Sequence, residues 1–345
     1  MAPDTPWAVV AGGAKWHIGC TTFRLQFPEK FAPVTANFRA LTLMTPDERQ
    51  LRAGVWALPE TTLPRGICVV LNGMTEFLEK YGEVADELRA REFIVVSLDW
   101  RSQGASERRR ASNRASHVGT FEEYTTDLSA LLLQAVEPLQ PTRRLPVIAL
   151  AHSMGGHILL RFLHESPRRF ACAVLVAPML AVDTGRYSPT LSKAAATAFS
   201  LWRPSTRLVC GVEDRDPLDL PFEGNLLTSD RARFERTRAL LKAQPFLRVF
   251  GPTFGWLNAA FRSMRQATLR GFPEAISTPL LVVGAGRDRV VKTEAIRAYV
   301  VRLPDVRYVE FESAEHEILM ETDSIREGFW KAFDAFVNER LGGRQ

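Results

Sequence analysis

Short apolar runs alternate with amphipathic segments along most of this chain, which is typical of buried parallel strands separated by helices. The apolar runs that predict strands of the central sheet lie at 67–71, 93–99, 146–151, 170–176, 279–284 and 306–311. The segments with helical spacing lie at 76–91, 120–139, 292–303 and 323–341. This alternation predicts an α/β fold with a mostly parallel central sheet and helices on both faces.

Three further stretches depart from the alternation. Residues 1–35 carry several Pro and Gly without periodicity and are predicted to be an irregular lead-in. Residues 38–44 and 50–57 flank the turn signal Pro46-Asp47 and predict an antiparallel hairpin at the edge of the sheet. Residues 181–275 form short mixed segments and predict a helical cap insertion. The core would then comprise 36–180 and 276–345.

Composition limits the classes of function. The 345 residues are 46% apolar and 24% charged, as in an ordinary globular protein, and 44 basic minus 39 acidic residues give a net charge of +5. So mild a charge does not imply a nucleic-acid partner, although it suits peripheral contact with an anionic membrane surface. No apolar stretch approaches the roughly 18 residues that span a bilayer. We therefore expect a cytoplasmic protein that at most lies on a membrane.

The four cysteines are widely separated and form no C-x-x-C pair: Cys20, Cys68, Cys172 and Cys210. Neither a zinc site nor a redox motif is indicated, and a reducing compartment is the simpler inference. We expect no metal and no organic cofactor.

A nucleophile motif stands between the strand ending near residue 151 and the helical pattern after it. Ala151-His152-Ser153-Met154-Gly155 is a G-x-S-x-G pattern with Ala in the first position. In this strand-to-helix setting the serine backbone is forced into an uncommon conformation, and the residues two positions before and two positions after it must be small. Ser153 is therefore the candidate nucleophile.

A serine nucleophile needs a base and an acid, and residues just past the carboxyl ends of parallel strands are placed to supply them. Asp288 follows the strand at 279–284, and His316 follows the strand at 306–311. The chain order of Ser153, then acid, then histidine is that of an α/β-hydrolase triad. Asp183, which follows the strand at 170–176, stays open as the acid. The histidines beside the motif are expected to pack or cap: His152, His157 and His164.

The oxyanion of the reaction needs backbone donors. One is expected at the residue after the nucleophile, Met154, and the other in the loop after the first parallel strand, where Met74 follows Asn72-Gly73.

Several motifs together resemble the monoacylglycerol lipase and lysophospholipase branch of the α/β-hydrolases, over about residues 38–180 and 275–341. They are Gly73-Met-Thr-Glu76-Phe-Leu-Glu-Lys80-Tyr81, Asp99-Trp-Arg-Ser-Gln103-Gly104-Ala-Ser106 and Phe121-Glu-Glu-Tyr124-Thr-Thr-Asp127-Leu128. The chain departs from the family where Asn72 replaces a usual His, and where Ala151 and Ser102 replace Gly. The resemblance implies an α/β-hydrolase fold and a lipase activity.

The resulting hypothesis is a serine hydrolase that cleaves the ester of a lipid with one acyl chain, a lysophospholipid or a monoacylglycerol. Lysophospholipids are slightly favoured because the basic run 108–114 could engage anionic headgroups. Two alternatives stay open: an acyltransferase with the same triad, and a non-catalytic binding module. Apolar residues of the insertion are predicted to line an acyl-chain tunnel or to form its core: Phe222, Leu226, Leu227, Phe246, Phe250, Phe254, Trp256 and Phe261.

Overall fold

The computed structural model describes residues 38–108, 115–140, 144–183, 196–198, 205–209 and 216–342. The predicted lead-in, Cys20 and Cys210 lie outside these ranges. Within them, the main sheet has eight strands in the order β1-β2-β4-β3-β6-β7-β9-β10. Its strands are β1 Phe38–Met44, β2 Gln50–Trp56, β3 Gly66–Leu71, β4 Phe93–Leu98, β6 Val147–His152, β7 Cys172–Val176, β9 Leu280–Ala285 and β10 Val306–Phe311.

The predicted hairpin is present at one edge of the sheet. Strand β1 pairs with β2 in antiparallel register, with Leu41 opposite Ala53, and β2 also runs antiparallel to β4. From β4 to β10 every neighbouring pair is parallel. All residues of β3, β7 and β9 are buried, which explains why their sequences are continuous apolar runs rather than alternating ones.

Helices cover both faces of the sheet. The α-helices are α1 Gly82–Ala90, α2 Glu122–Leu131, α3 Met154–Glu165, α4 Arg231–Ala243, α5 Phe254–Ala267, α6 Thr293–Val300 and α7 Asp323–Leu341. One face is packed against α1 and α7, in a core that includes Leu88 and Phe333. The other is packed against α2, α3 and α6, in a core that includes Leu128, Ile158 and Ile296.

Helix α2 begins at Glu122, two residues after the start of the predicted helical segment 120–139, and its N-cap, Phe121, makes no side-chain hydrogen bond. Glu123 still satisfies free backbone donors, since its carboxylate accepts from the N–H groups of Gly119 and Thr120. The helical path continues to Leu139 through a π turn and a 3₁₀ turn, as the periodicity predicts.

Between β7 and β9 the described residues leave the main sheet. They form α4, α5 and a short strand, β8 (Gly251–Pro252), which pairs with β5 (Ala115–Ser116) in a separate two-stranded sheet. Parts of this stretch lie outside the described residues, so the helical cap of 181–275 stays a prediction at this point.

Candidate active site

Ser153 lies in the sharp turn between β6 and α3. Its φ of +51° and ψ of −114° fall in a region that non-glycine residues seldom adopt, as expected for the nucleophile motif. The turn is held by a bond from the Ser153 N–H to the carbonyl of Val176, 2.9 Å away. The adjoining β7 strand therefore fixes the position of the serine.

The structure brings the three predicted side chains together. His316 Nε2 lies 2.9 Å from Ser153 Oγ, and His316 Nδ1 lies 2.7 Å from Asp288 Oδ2. The other carboxylate oxygen of Asp288 accepts the N–H groups of Val290 and Val291, so the acid is oriented by its own loop. Both the Asp288 carboxylate and the imidazole are buried. Hydrogen bonds thus run unbroken from the acid to the serine hydroxyl.

Asp183, the alternative acid, does not occupy this position. Its side chain is exposed, and its backbone N–H donates to the Val290 carbonyl beside the Asp288 loop. Two of the neighbouring histidines pack as expected. His157 is buried against Ser263 of α5, with Nε2 2.7 Å from Oγ, and His164 stacks on Phe272.

The two predicted oxyanion donors lie on elements that meet at this turn. Met154 begins α3, where free N–H groups and the helix dipole favour negative charge. Met74 lies in the loop after β3, beside Thr75, whose φ of +66° is unusual for a β-branched residue. Thr75 donates its N–H to Gln103 Oε1 at 2.5 Å, and Gln103 Nε2 lies 3.8 Å from Met154 Sδ. The buried Gln103 therefore contacts both donor segments.

Gln103 belongs to a loop shaped by Asp99. The buried Asp99 carboxylate accepts from the N–H groups of Leu78 and Ala105 and pairs with Arg52. Gly104 has φ +51°, and a Cβ there would lie 2.2 Å from that carboxylate. This close approach explains why one motif contains both Asp99 and Gly104: the loop wraps tightly around the Asp99 carboxylate and leaves no room for a side chain at position 104.

The remaining motif residues and departures also have structural roles. Arg101 pairs with Asp127 at 2.6 Å, which joins two of the quoted motifs. Asn72 Nδ2 donates to the Leu98 carbonyl, and Trp100 Nε1 donates to the Asn72 carbonyl, so Asn72 is bonded to the β4 end. Ser102, where the family has Gly, adopts φ +64°, a conformation that favours glycine.

A cavity of about 510 Å³ adjoins the site. Its lining includes Thr75, Val290 and Glu317, each close in sequence to a predicted site residue, together with residues between 217 and 250. Of the predicted tunnel residues, Leu226, Leu227 and Phe250 line this cavity. The aromatic residues of α5 are instead buried in the protein interior: Phe254, Trp256 and Phe261. For these three the core interpretation holds.

Within the described ranges, no group of three or more His, Cys, Asp or Glu side chains is arranged to hold a metal ion. None of the helices in that part of the chain combines the length and apolar character that a membrane crossing requires.

The fold is that of the α/β-hydrolases, as the mostly parallel sheet with helices on both faces predicts. Residues 62–323 match the model of the family described as Serine aminopeptidase, S33, and the chain belongs to this α/β-hydrolase family, in its lysophospholipase and monoacylglycerol lipase branch. This membership confirms the predicted class, a carboxylic ester hydrolase.

Two curated relatives span most of the chain. Lysophospholipase L2 of Escherichia coli (strain K12) is 31% identical over 279 residues, which are 79% of this chain and 80% of that protein. A monoacylglycerol lipase of Mycolicibacterium smegmatis is 28% identical over 274 residues, 78% of this chain and 86% of that protein.

Solved structures agree on the fold. A soluble variant of monoglyceride lipase from Saccharomyces cerevisiae superposes with a TM-score of 0.69 at 16% identity, covering 91% of this chain and 99% of that chain. The monoacylglycerol lipase of Paleococcus ferrophilus gives a TM-score of 0.64 at 22% identity, covering 85% and 99%.

Proposed function

We propose that this protein hydrolyses the carboxylic ester of a lipid with a single acyl chain, through an acyl-enzyme on Ser153. The observation that carries the proposal is the hydrogen-bonded series Ser153, His316 and Asp288 at 2.9 and 2.7 Å. Such a series is the arrangement that makes a serine hydroxyl nucleophilic at neutral pH.

In the first half of the reaction, His316 Nε2 takes the hydroxyl proton while Ser153 Oγ attacks the ester carbonyl. The tetrahedral intermediate collapses, the ester C–O bond breaks, and His316 returns the proton to the leaving alcohol. In the second half, water gives its proton to His316 and attacks the acyl-enzyme, releasing the fatty acid and restoring the hydroxyl. Asp288 holds the imidazole in the required tautomer and stabilises its charged form in both halves.

The backbone N–H groups of Met74 and Met154 are the proposed oxyanion donors. The position of Met154 at the start of α3 supports this role, because a helix N-terminus stabilises a developing negative charge. Met74 is supported by its place in the loop that Gln103 and Glu76 hold by hydrogen bonds to Thr75 and Gly73.

The cavity beside the site is the proposed acyl-chain pocket. Its lining includes the apolar side chains Phe234, Leu241, Val249 and Phe250, which suit a hydrocarbon chain. These four residues belong to 181–275, which we propose to be the cap over a core formed by 36–180 and 276–345. The size of this pocket suits one hydrocarbon chain, which supports a substrate with a single acyl group.

Between the two candidate lipid classes, we propose lysophospholipid as the preferred substrate, because the E. coli relative is a lysophospholipase. Arg108 does not decide the headgroup, because its guanidinium donates to the carbonyls of Gly104 and Phe246. The rest of the basic run, 109–114, lies outside the described residues.

The activity is tested by comparing p-nitrophenyl esters of increasing chain length with lysophosphatidylcholine and monoacylglycerol. Ser153→Ala should lower kcat by roughly 10⁴ to 10⁶-fold, and Asp288→Asn by roughly 10⁴-fold, without loss of folding. Asp183→Asn is the matched control and should retain activity. Unchanged hydrolysis in Ser153→Ala would refute the proposal, and an acylated product in the presence of an added alcohol would identify an acyltransferase.

We further propose peripheral contact with anionic membranes by the surface beside the cavity, in a cytoplasmic protein. Leu220 and Leu226, which line the cavity, and Phe246, close in sequence to the lining residues Val249 and Phe250, are large exposed apolar side chains. The net charge of +5 favours anionic lipid. Leu220→Glu with Phe246→Glu should weaken sedimentation with phosphatidylglycerol vesicles. Leu63→Glu, at an exposed site in the loop between β2 and β3, is the control and should sediment as the unmodified protein does. Equal sedimentation of all variants would exclude this surface.

A further inference from the structure

His152, the last residue of β6, lies buried directly before the nucleophile. Its Nδ1 is 3.1 Å from Glu76 Oε2, and its Nε2 is 3.2 Å from the backbone carbonyl oxygen of His316. A carbonyl oxygen accepts hydrogen bonds but cannot donate one. Because a neutral imidazole carries a single N–H, both bonds form only when the ring is protonated at both nitrogens, provided that Glu76 is ionised.

The surroundings of Glu76 require an ionised carboxylate. Its Oε2 accepts from the Gly73 N–H and, at 2.7 Å, from the Tyr81 hydroxyl, while its Oε1 accepts from Lys80 Nζ at 2.8 Å. Burial opposes ionisation, but the charges of Lys80 and His152 and their hydrogen bonds outweigh it and hold the pKa of Glu76 well below its usual value. Glu76 therefore has only acceptors to offer His152.

The charge balance of the buried cluster formed by Glu76, Lys80, His152 and Glu317 leads to the same protonation state of His152. Lys80 Nζ also bonds to Glu317 Oε1 at 2.5 Å, and Glu317 directly follows His316 in the chain. Two carboxylates and one ammonium, all buried, leave a net charge of −1 that a cationic His152 cancels. An unbalanced charge in the interior is strongly disfavoured.

The charged groups that face His152 come from two loops besides its own strand. Glu76, Lys80 and, through Glu76, the Tyr81 hydroxyl come from the segment after β3. Glu317 and the His316 ring come from the segment after β10, with the two ring centroids 4.9 Å apart. Burial favours the neutral imidazole, and so does the positive charge of Lys80. The negative charges of Glu76 and Glu317 outweigh both effects, so the pKa of His152 is raised.

We propose that His152 is a positioning residue for ester hydrolysis, a resident imidazolium that joins the oxyanion loop to the loop carrying the His316 base. This inference rests on the proposed function of Ser153 and His316. One ring holds Glu76, which in turn holds the Gly73 N–H beside Met74, and the same ring holds the His316 carbonyl. The His152 ring thereby sets the distance between the proposed oxyanion donors and the His316 base.

The test combines steady-state kinetics with a direct measurement of protonation. His152→Gln should lower kcat by roughly 10-fold with little change in KM, because the ring positions the base and the oxyanion loop without contacting substrate. His152→Lys restores a charge and should recover part of the lost kcat. His157→Gln removes a buried histidine that lies away from this cluster, and should leave kcat unchanged.

Nuclear magnetic resonance of ¹⁵N-histidine-labelled protein reads the charge without an activity assay. Both ring nitrogens of His152 should carry protons at pH 7 in the unmodified protein. A single ring proton at pH 7, or an unchanged kcat in His152→Gln, would overturn the proposal. If the protein lacks esterase activity altogether, the proposed function fails, but the resonance measurement still decides the charge of His152. Because that measurement uses the unmodified protein, it also remains decisive if the variants do not fold.

Discussion

Gly155 passes so close to the end of β3 that a Cβ there would lie 2.4 Å from the carbonyl oxygen of Leu71. The carbonyl oxygen of Asn72 would be 2.6 Å away. Both atoms are backbone, so neither can rotate aside as a flexible side chain would. The requirement for a small residue two positions after Ser153 thus comes from the approach of α3 to a neighbouring strand.

We therefore predict that Gly155→Ala displaces the turn that holds Ser153. The free energy of unfolding should fall by about 1–3 kcal/mol, as overpacking does in close-packed cores, and hydrolysis should be largely lost. Urea unfolding and ester hydrolysis measure the two effects. Gly156→Ala is the matched control, because its Cβ would meet the Pro178 side chain at a more tolerable 3.1 Å. Equal effects at both positions would contradict this explanation.

The sequence predicts the main sheet and the convergence of Ser153, Asp288 and His316, because apolar strands show directly in the pattern and parallel strands end at the same edge. It does not predict the connections beneath the site. Lys80 and Glu317 are 237 positions apart, and no periodicity relates side chains that meet through loops. Tertiary contacts also decide whether the aromatic residues of α5 line a tunnel or form a core, because their apolar character suits either location.

Gln103 is one residue whose role emerged only from the structure. Its Oε1 accepts the N–H of Thr75, which helps keep the proposed oxyanion loop in an uncommon conformation. We predict that Gln103→Met lowers kcat by roughly 10-fold with a smaller effect on KM, because a shifted oxyanion donor weakens binding of the transition state specifically. Steady-state kinetics on one ester substrate provide the measurement.

Gln103→Ala separates hydrogen bonding from packing. Both variants lose the acceptor for Thr75, but only Ala also leaves a cavity, so kcat should fall to a similar extent in both while stability falls further in Ala. A Gln103→Met enzyme with unchanged kcat would show that the bond to Thr75 does not position the oxyanion loop.

His157 predicts a loss of stability in acid. Burial, reinforced by the charge of Arg161, lowers its pKa to about 3, so the folded protein keeps this imidazole neutral while the unfolded chain binds a proton below about pH 6.5. The stability that depends on neutral His157 is thus present above pH 6.5 and lost as the pH falls toward 3. From pH 7 to pH 5 the loss should be about 2 kcal/mol.

Urea unfolding at several pH values tests this dependence. His157→Gln has no titrating ring, so its free energy of unfolding should fall by about 2 kcal/mol less between pH 7 and pH 5. Ser263→Ala removes the hydroxyl that contacts His157 but keeps the ring, and should retain the pH dependence at lower overall stability. Identical pH slopes for His157→Gln and the unmodified protein would contradict the buried neutral state.

Glu321 connects the base loop to the segment before α4. Its buried carboxylate accepts from the Glu315 N–H, directly before His316, and from the N–H and hydroxyl of Ser229. We predict that Glu321→Ala lowers kcat and raises KM together, because the loop of the base and a segment beside the cavity both lose their acceptor. Unpaired buried donors should also lower the free energy of unfolding by about 1–3 kcal/mol.

Ser229→Ala tests the two effects separately. It removes only the hydroxyl bond on the side of α4, so Glu321 still holds the Glu315 N–H and the base keeps its position. The variant should therefore raise KM for a long-chain ester with little change in kcat. If Glu321→Ala raised KM alone, the carboxylate would act on the pocket and not on His316. An effect on both constants ties the position of the base to the segment that lines the acyl pocket.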